Sequence, residues 1–220
     1  MQDLDFYFAL SSGRQLLDGL WVTLYLTFWS NIIGLTCGFF LALVGVSHVR
    51  ALRWLYTAYV EVFRCTPILL QIVWFFFCVP ILFNVYWSGE FLGLLILGLN
   101  LTAFNAEAYR ASIQGIPPAH HDAAIALGLG RRVTALHVIL PQAARNAMPV
   151  LVTNAIGAFQ QSALVALVGV ADLMYQGKLL STQTYRPIEA YTSVAIIYLV
   201  ISVTFGQIAG FIERRNELYR

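Results

Sequence analysis

Five long apolar runs, almost empty of charge, constrain this chain more than any other feature of its sequence. They lie at about 19–46, 55–83, 91–108, 147–171 and 191–211. A helix needs roughly 20 such residues to cross the hydrocarbon core of a bilayer, where every backbone polar group must find its partner inside the segment. The first and fifth runs hold no charged residue. The second carries Glu61 and Arg64 ahead of Pro67 and Pro80, the third ends in Glu107, and Gln160, Gln161 and Ser162 interrupt the fourth. Composition agrees: 59% of the 220 residues are hydrophobic and 11% charged, against roughly 45–50% and 25% in an ordinary soluble domain. No polar stretch is long enough to separate two soluble cores. The expectation is one all-α membrane domain over residues 1–220, with about five transmembrane helices.

Arginine and lysine are retained on the cytoplasmic side of a membrane. With the N-terminus outside, Arg14, Lys178 and Arg186 lie outside, while Arg50, Arg53, Arg110, Arg131, Arg132, Arg145, Arg214, Arg215 and Arg220 lie inside. That asymmetry selects N-out and C-in, which an odd number of crossings satisfies. Trp21, Trp54, Trp87 and Tyr191 fall near helix ends and suit the interfacial belt, whereas Trp29 and Trp74 are read as deeper packing residues. Asp3 and Asp5, with no early basic cluster, do not resemble a cleaved secretory signal. Cys37, Cys65 and Cys78 sit in apolar runs without CxxC spacing and indicate neither a disulfide framework nor a zinc site. A net charge of +2 with dispersed basic residues offers nothing to nucleic acid.

The longest inward segment joins the third and fourth runs, and its core at 115–141 is amphipathic. Pro117 and Pro118 precede good helix formers up to Leu127, and Gly128 and Gly130 can end that helix. Ala119, Ala123, Ala124 and Ala126 leave a small-residue surface that another helix can approach closely. A second helix is expected from about Arg131 to Pro141. Such an element beneath a small bundle suits a docking surface.

These residues carry a resemblance. Asp122-Ala123-Ala124, Gly128 and Val138-x-Leu140-Pro141 resemble the cytoplasmic "EAA" signature of ABC importer permeases, with Asp for Glu and Val for Ile. Phe63-Arg64-Cys65-Thr66-Pro67 with Gln71, and Ala106-Glu107-Ala108-Tyr109-Arg110 through Ile116-Pro117, resemble runs of permeases for polar amino acids. Gln160-Gln161-Ser162-Ala163-Leu164 stands where such permeases usually read Lys-Asp-Thr-Ser-Leu and departs from that pattern. The resemblance spans roughly Gly19 to Arg215. It implies a translocation subunit in a bacterial inner membrane, a second permease subunit (identical or related), two ATP-binding cassette subunits docked below and an extracytoplasmic amino-acid-binding protein above. The chain has no Gly-Lys-Ser/Thr phosphate loop, so ATP and Mg belong to the partner ATPase and no cofactor to this chain. Asp122, Ala123, Ala124 and Gly128 would form the ATPase-coupling surface; Arg131 and Arg132 read as cytoplasmic anchors.

Charged groups inside membrane helices are costly and usually face the bundle interior or a wet cavity. The guanidinium of Arg64 can hold a substrate carboxylate bidentately, just before the Thr66-Pro67 step; its competing partner is Glu61, three residues away. Glu107 is a candidate for the substrate ammonium, with Arg110 as its alternative partner. Thr66, Gln71, Asn105, Gln160, Gln161 and Ser162 complete the candidate pathway, against a plainer role in interhelical hydrogen bonding. Gln160 and Gln161 point about 100° apart, so one of them is expected to face the pathway. These glutamines and Cys65 lean toward an acidic or amide amino acid.

Catalysis by the chain itself is not indicated. It has no HExxH, no GxSxG and no catalytic aspartate pair, and the adjacent His120 and His121 would not face one metal. The alternative transport reading is half of a secondary carrier driven by an ion gradient, which the broken fourth run would suit. A cytoplasmic docking loop argues against it.

Overall fold

The computed structural model describes residues 13–217, with side chains to Phe211. Asp3, Asp5, Arg220 and the side chains of Arg214 and Arg215 lie outside the described residues, which contain helices and no strand. The helices are α1 (Gly13–Gly45), α2 (Arg50–Cys65), α3 (Ile68–Phe83), α4 (Gly89–Gln114), α5 (Pro118–Ala126), α6 (Arg131–Val168), α7 (Leu173–Thr184) and α8 (Pro187–Glu217). α1, α4, α6 and α8 are each long and apolar enough to cross a bilayer, and α2 with α3 makes a fifth crossing if the bent pair acts as one.

α4 is the centre of the bundle: 67% of its most apolar stretch is buried, against 11% for α8 at the periphery. Its longest seam is with α1. The face α1 turns inward reads Thr23, Leu26, Ser30, Gly34, Gly38, Ala42, Gly45, a helical stripe of mostly small residues. A Cβ at Gly34 would come within 2.6 Å of Leu101 Cγ, and one at Gly38 within 2.9 Å of Asn105 Cβ and 3.1 Å of the Ala106 nitrogen. Apolar side chains gain little from one another in lipid, so close backbone approach through small residues is what holds such helices together.

The helices depart from the sequence expectation in four places. The run at 55–83 is two helices meeting at 101°, because Pro67 cannot donate to the preceding turn and keeps Thr66 extended (φ −105°, ψ 140°). The fourth membrane helix starts at Arg131 rather than near 147, and Pro141 does not end the cytoplasmic helix. Residues Thr134–Ile139 widen into a π turn, with the Leu140 N–H reaching back five residues to the Ala135 carbonyl; this extra residue accommodates the missing donor of Pro141. At Gln161 the helix is not broken but tightens into a 3₁₀ segment, Ser162–Val168, closed by Gly169 at φ +83°.

The fourth departure is α7, too polar for a hydropathy reading to find. Asp172 caps it, accepting the Tyr175 N–H at 2.9 Å, and is itself fully buried between α1 and α8, with the Tyr198 hydroxyl donating at 3.5 Å. Burial pushes its carboxyl up to about 6. Trp29 and Trp74, expected inside, are each 44% exposed; they sit on the outer face, as do Trp21 and Trp54.

Candidate functional site

The bend between α2 and α3 builds the site. In an unbroken helix the Phe63 carbonyl would accept the N–H of residue 67, but that residue is proline and has none. Two side chains take its place: Gln71 Nε2 donates to the Phe63 carbonyl at 2.9 Å and Asn100 Nδ2, from α4, at 3.0 Å. Gln71 also donates to Thr66 Oγ1 at 2.7 Å, and its own carbonyl accepts from Asn100 at 3.1 Å. Thr66 Oγ1 closes the clamp by donating to the Val62 carbonyl at 2.6 Å. Gln71 and Thr66 thus secure the bend and present no free group to a ligand. Asn100 was missed in the sequence because nothing in linear spacing brings it to residue 63.

Arg64 lies one residue after the clamped carbonyl and is exposed. Its guanidinium stands over the Phe104 ring, 5.3 Å from the centroid, a cation–π contact. Among the described residues it makes no ion pair with Glu61. Arg64 lines two clefts, which Glu107 also lines. One, of about 420 Å³, includes Arg53, Thr57, Glu61, Glu107 and Arg110; the other, of about 430 Å³, includes Phe104, Glu107, Ser112 and Asn154. The polar side chains of α2 at 53, 57, 61 and 64 follow helical spacing and form one stripe along the cleft, with the buried Tyr56 and Val60 lining the same cleft beside it.

Glu107 shares those clefts but is already committed. Arg110 donates to its two oxygens at 2.5 and 2.9 Å, and the Tyr56 hydroxyl donates at 2.6 Å. Arg110 in turn reaches Gln114 at 2.6 Å. The i,i+3 pairing offered as its alternative role is the one observed.

The remaining candidates lie apart from Arg64. Asn105 is fully buried and accepts from Asn154 at 3.0 Å, tying α4 to α6; its Nδ2 has no partner among the described residues. Ser162 is buried and donates to the Phe159 carbonyl at 2.7 Å. Gln160 is exposed and donates weakly to Ser202 of α8 at 3.4 Å, while Gln161 is half-buried at the end of the α-helical part of α6. Among the described residues no group of His, Cys, Asp or Glu gathers as a metal site would require.

The loop beneath the bundle carries the other candidate surface. Pro117 and Pro118 start α5, and Gly128 ends it at φ +70°, a conformation a Cβ disfavours. Asp122, Ala123 and Gly128 are exposed, whereas Ala124 is buried as α5 packs on the π turn of α6. Of the alanine pair only Ala123 faces outward. Ile125 and Leu127, 71% and 77% exposed, widen that face with apolar surface.

A bundle of membrane-length helices with a polar cleft beside a pinned bend, and a separate helix exposed below, defines a membrane-embedded transporter. Residues 34–217 match the family described as the binding-protein-dependent transport system inner membrane component, and the chain belongs to it. The arginine transport system permease protein ArtQ of Bacillus subtilis is 32% identical over 97% of both chains. The glutamate/aspartate import permease protein GltK of Escherichia coli is 30% identical over 98% of this chain and all of its own. A chain of a crystal structure described as an amino acid ABC transporter with histidines superposes with a TM-score of 0.92 at 33% identity, covering 97% of this chain and 100% of that one. A carrier driven by an ion gradient finds no support among these likenesses.

Proposed function

We propose that this chain is the translocation subunit of an ATP-driven importer of polar amino acids in a bacterial inner membrane, with acidic or amide amino acids favoured. The observation that carries the reading is Arg64: a guanidinium inside a membrane helix, held on an aromatic ring, open to a cleft and in no ion pair among the described residues. Full-length similarity to amino-acid permeases supplies the substrate class. A substrate carboxylate meets Arg64 there and offsets a charge that lipid would disfavour by about 2.5 kcal/mol or more.

An extracytoplasmic binding protein delivers the amino acid, two ATPase subunits dock below, and a second permease subunit, identical or related, completes the pathway. ATP and Mg are bound by the ATPase. Asp122, Ala123 and Gly128 lie at the docking surface, with Ala124 fixing α5 to α6. The termini lie N-out and C-in, so a reporter after Arg220 reads cytoplasmic and one at Met1 extracytoplasmic.

The test is reconstitution with the ATPase and the binding protein, followed by ATP hydrolysis with glutamate, aspartate, glutamine and arginine in turn. Stimulation by a polar amino acid is expected, and Ala123→Asp should reduce recovery of the ATPase with the permease. Uptake without a co-purifying ATPase, abolished by an ionophore, would overturn the reading.

A further inference from the structure

The cleft beside α2 holds two carboxylates, and only one is open. Glu107 already receives three hydrogen bonds, two from Arg110 and one from Tyr56. Glu61 is exposed in the same cleft, three residues from Arg64, close enough on a helix for the two to meet. They do not pair among the described residues, because the guanidinium stands over Phe104 instead. Arg53, the other cation lining this side of the cleft, is eight residues from Glu61, roughly 12 Å along the axis and beyond direct reach.

An anion and a cation three residues apart, neither in an ion pair among the described residues and both lining one cleft of a membrane domain, can be answered together by a ligand bearing both signs. A free amino acid is such a ligand, with ammonium and carboxylate on one carbon. We propose that Glu61 holds the α-ammonium of the transported amino acid while Arg64 holds its carboxylate, an inference that rests on the amino-acid reading above. The clamp of Thr66, Gln71 and Asn100 on the Phe63 carbonyl sets the height of the pair and keeps the end of α2 from winding on. Glu107 is then a structural neighbour rather than the ammonium partner.

The experiment is equilibrium binding to the permease–ATPase complex in nanodiscs, with the binding protein omitted. The probes are radiolabelled L-glutamate, L-glutamine and L-arginine; the tightest is then compared with its analogue lacking the α-amino group. Wild type should prefer the amino acid. In Glu61→Gln that preference should vanish, through a loss of at least about tenfold for the amino acid, the scale of a hydrogen bond between charged groups, and no change for the deaminated analogue. Glu61→Asp should recover part of it, and Glu107→Gln should keep the preference.

An unaltered preference in Glu61→Gln, or an equal loss of both ligands, overturns the assignment. Arg64→Gln tests the carboxylate contact separately and should weaken both ligands. Wild-type affinity there would remove Arg64 while leaving the Glu61 comparison intact, and a wild-type complex that binds none of the three amino acids would remove the amino-acid reading itself.

Discussion

α4 borders a tightly closed region on one side and an open one on another. Along α1 it meets glycines and small hydroxyl residues so closely that a carbon added at Gly34 would strike Leu101 and one at Gly38 would press on the Asn105 Cβ and the Ala106 nitrogen. Along α2 it leaves a cleft where Arg53, Glu61 and Arg64 face open space. The seam is tight because Leu101 fills the notch at Gly34 and Ile33 the notch at Gly98, leaving no room for a larger side chain at either glycine. At the cleft the polar groups divide into those that serve the chain's own backbone, Gln71, Thr66 and Asn100, and those left available, Glu61 and Arg64. A fixed wall opposite an open charged face is what a transport route needs: one side sets distance and the other presents chemistry.

The largest effect is expected from breaking the seam. Gly38→Val places carbon against the Asn105 Cβ and the Ala106 nitrogen, where backbone cannot yield. Overpacking of this kind costs at least about 1–3 kcal/mol, so assembled protein should fall sharply in detergent size-exclusion profiles. A normal monodisperse peak at normal yield would mean the seam is loose.

Next comes the outer end of the same face of α1. Asp172 packs there, and burial lifts its carboxyl to about 6, above the value of about 3.9 in an unfolded chain. The folded state therefore binds the proton more tightly. Asp172's contribution to stability is fully present below about pH 4 and is lost as pH rises through 6, by about 2–3 kcal/mol in all. Thermal unfolding should occur at higher temperature at pH 5 than at pH 7.5, and Asp172→Asn, which can still cap α7, should flatten the difference. An unchanged pH slope in that variant would remove Asp172 as its source.

On the open side, Gln71→Leu removes a donor from the Phe63 carbonyl and two contacts to Thr66. A cost of about 1–3 kcal/mol is expected, seen as a lowered melting temperature together with weaker substrate binding as the bend relaxes. Loss of stability alone would separate the bend from the site. The smallest effect belongs to Tyr56→Phe, which deletes one of three bonds to Glu107 while Arg110 remains. It should cost about 1 kcal/mol of stability and leave substrate affinity untouched; a large transport defect would draw Glu107 back into the site.

Much of this was legible in the chain. The apolar runs announce the membrane helices because hydropathy is a local property, and Pro117, Pro118 and Gly128 announce α5 for the same reason. Arg64 stands out because a charge in such a run is costly wherever the fold places it. What escaped depends on proximity in space: Asn100 at the Phe63 carbonyl, Tyr56 on Glu107, and the right angle at Pro67, which proline permits but does not dictate. α7 escaped because its polar residues carry no hydropathy signal. The stripe Ser30, Gly34, Gly38, Ala42 is a small-residue repeat at helical spacing, and it pointed to the seam without being read.

The most direct test of the central claim is amino-acid stimulation of ATP hydrolysis by the complete complex carrying Arg64→Gln. The variant should insert and co-purify with its ATPase, and the amino acid that stimulates the wild-type complex should no longer do so; Arg64→Lys, which keeps the charge and loses the planar fork, should show a large affinity loss. Full stimulation of Arg64→Gln at wild-type substrate concentration would contradict the assignment of Arg64 to the substrate carboxylate.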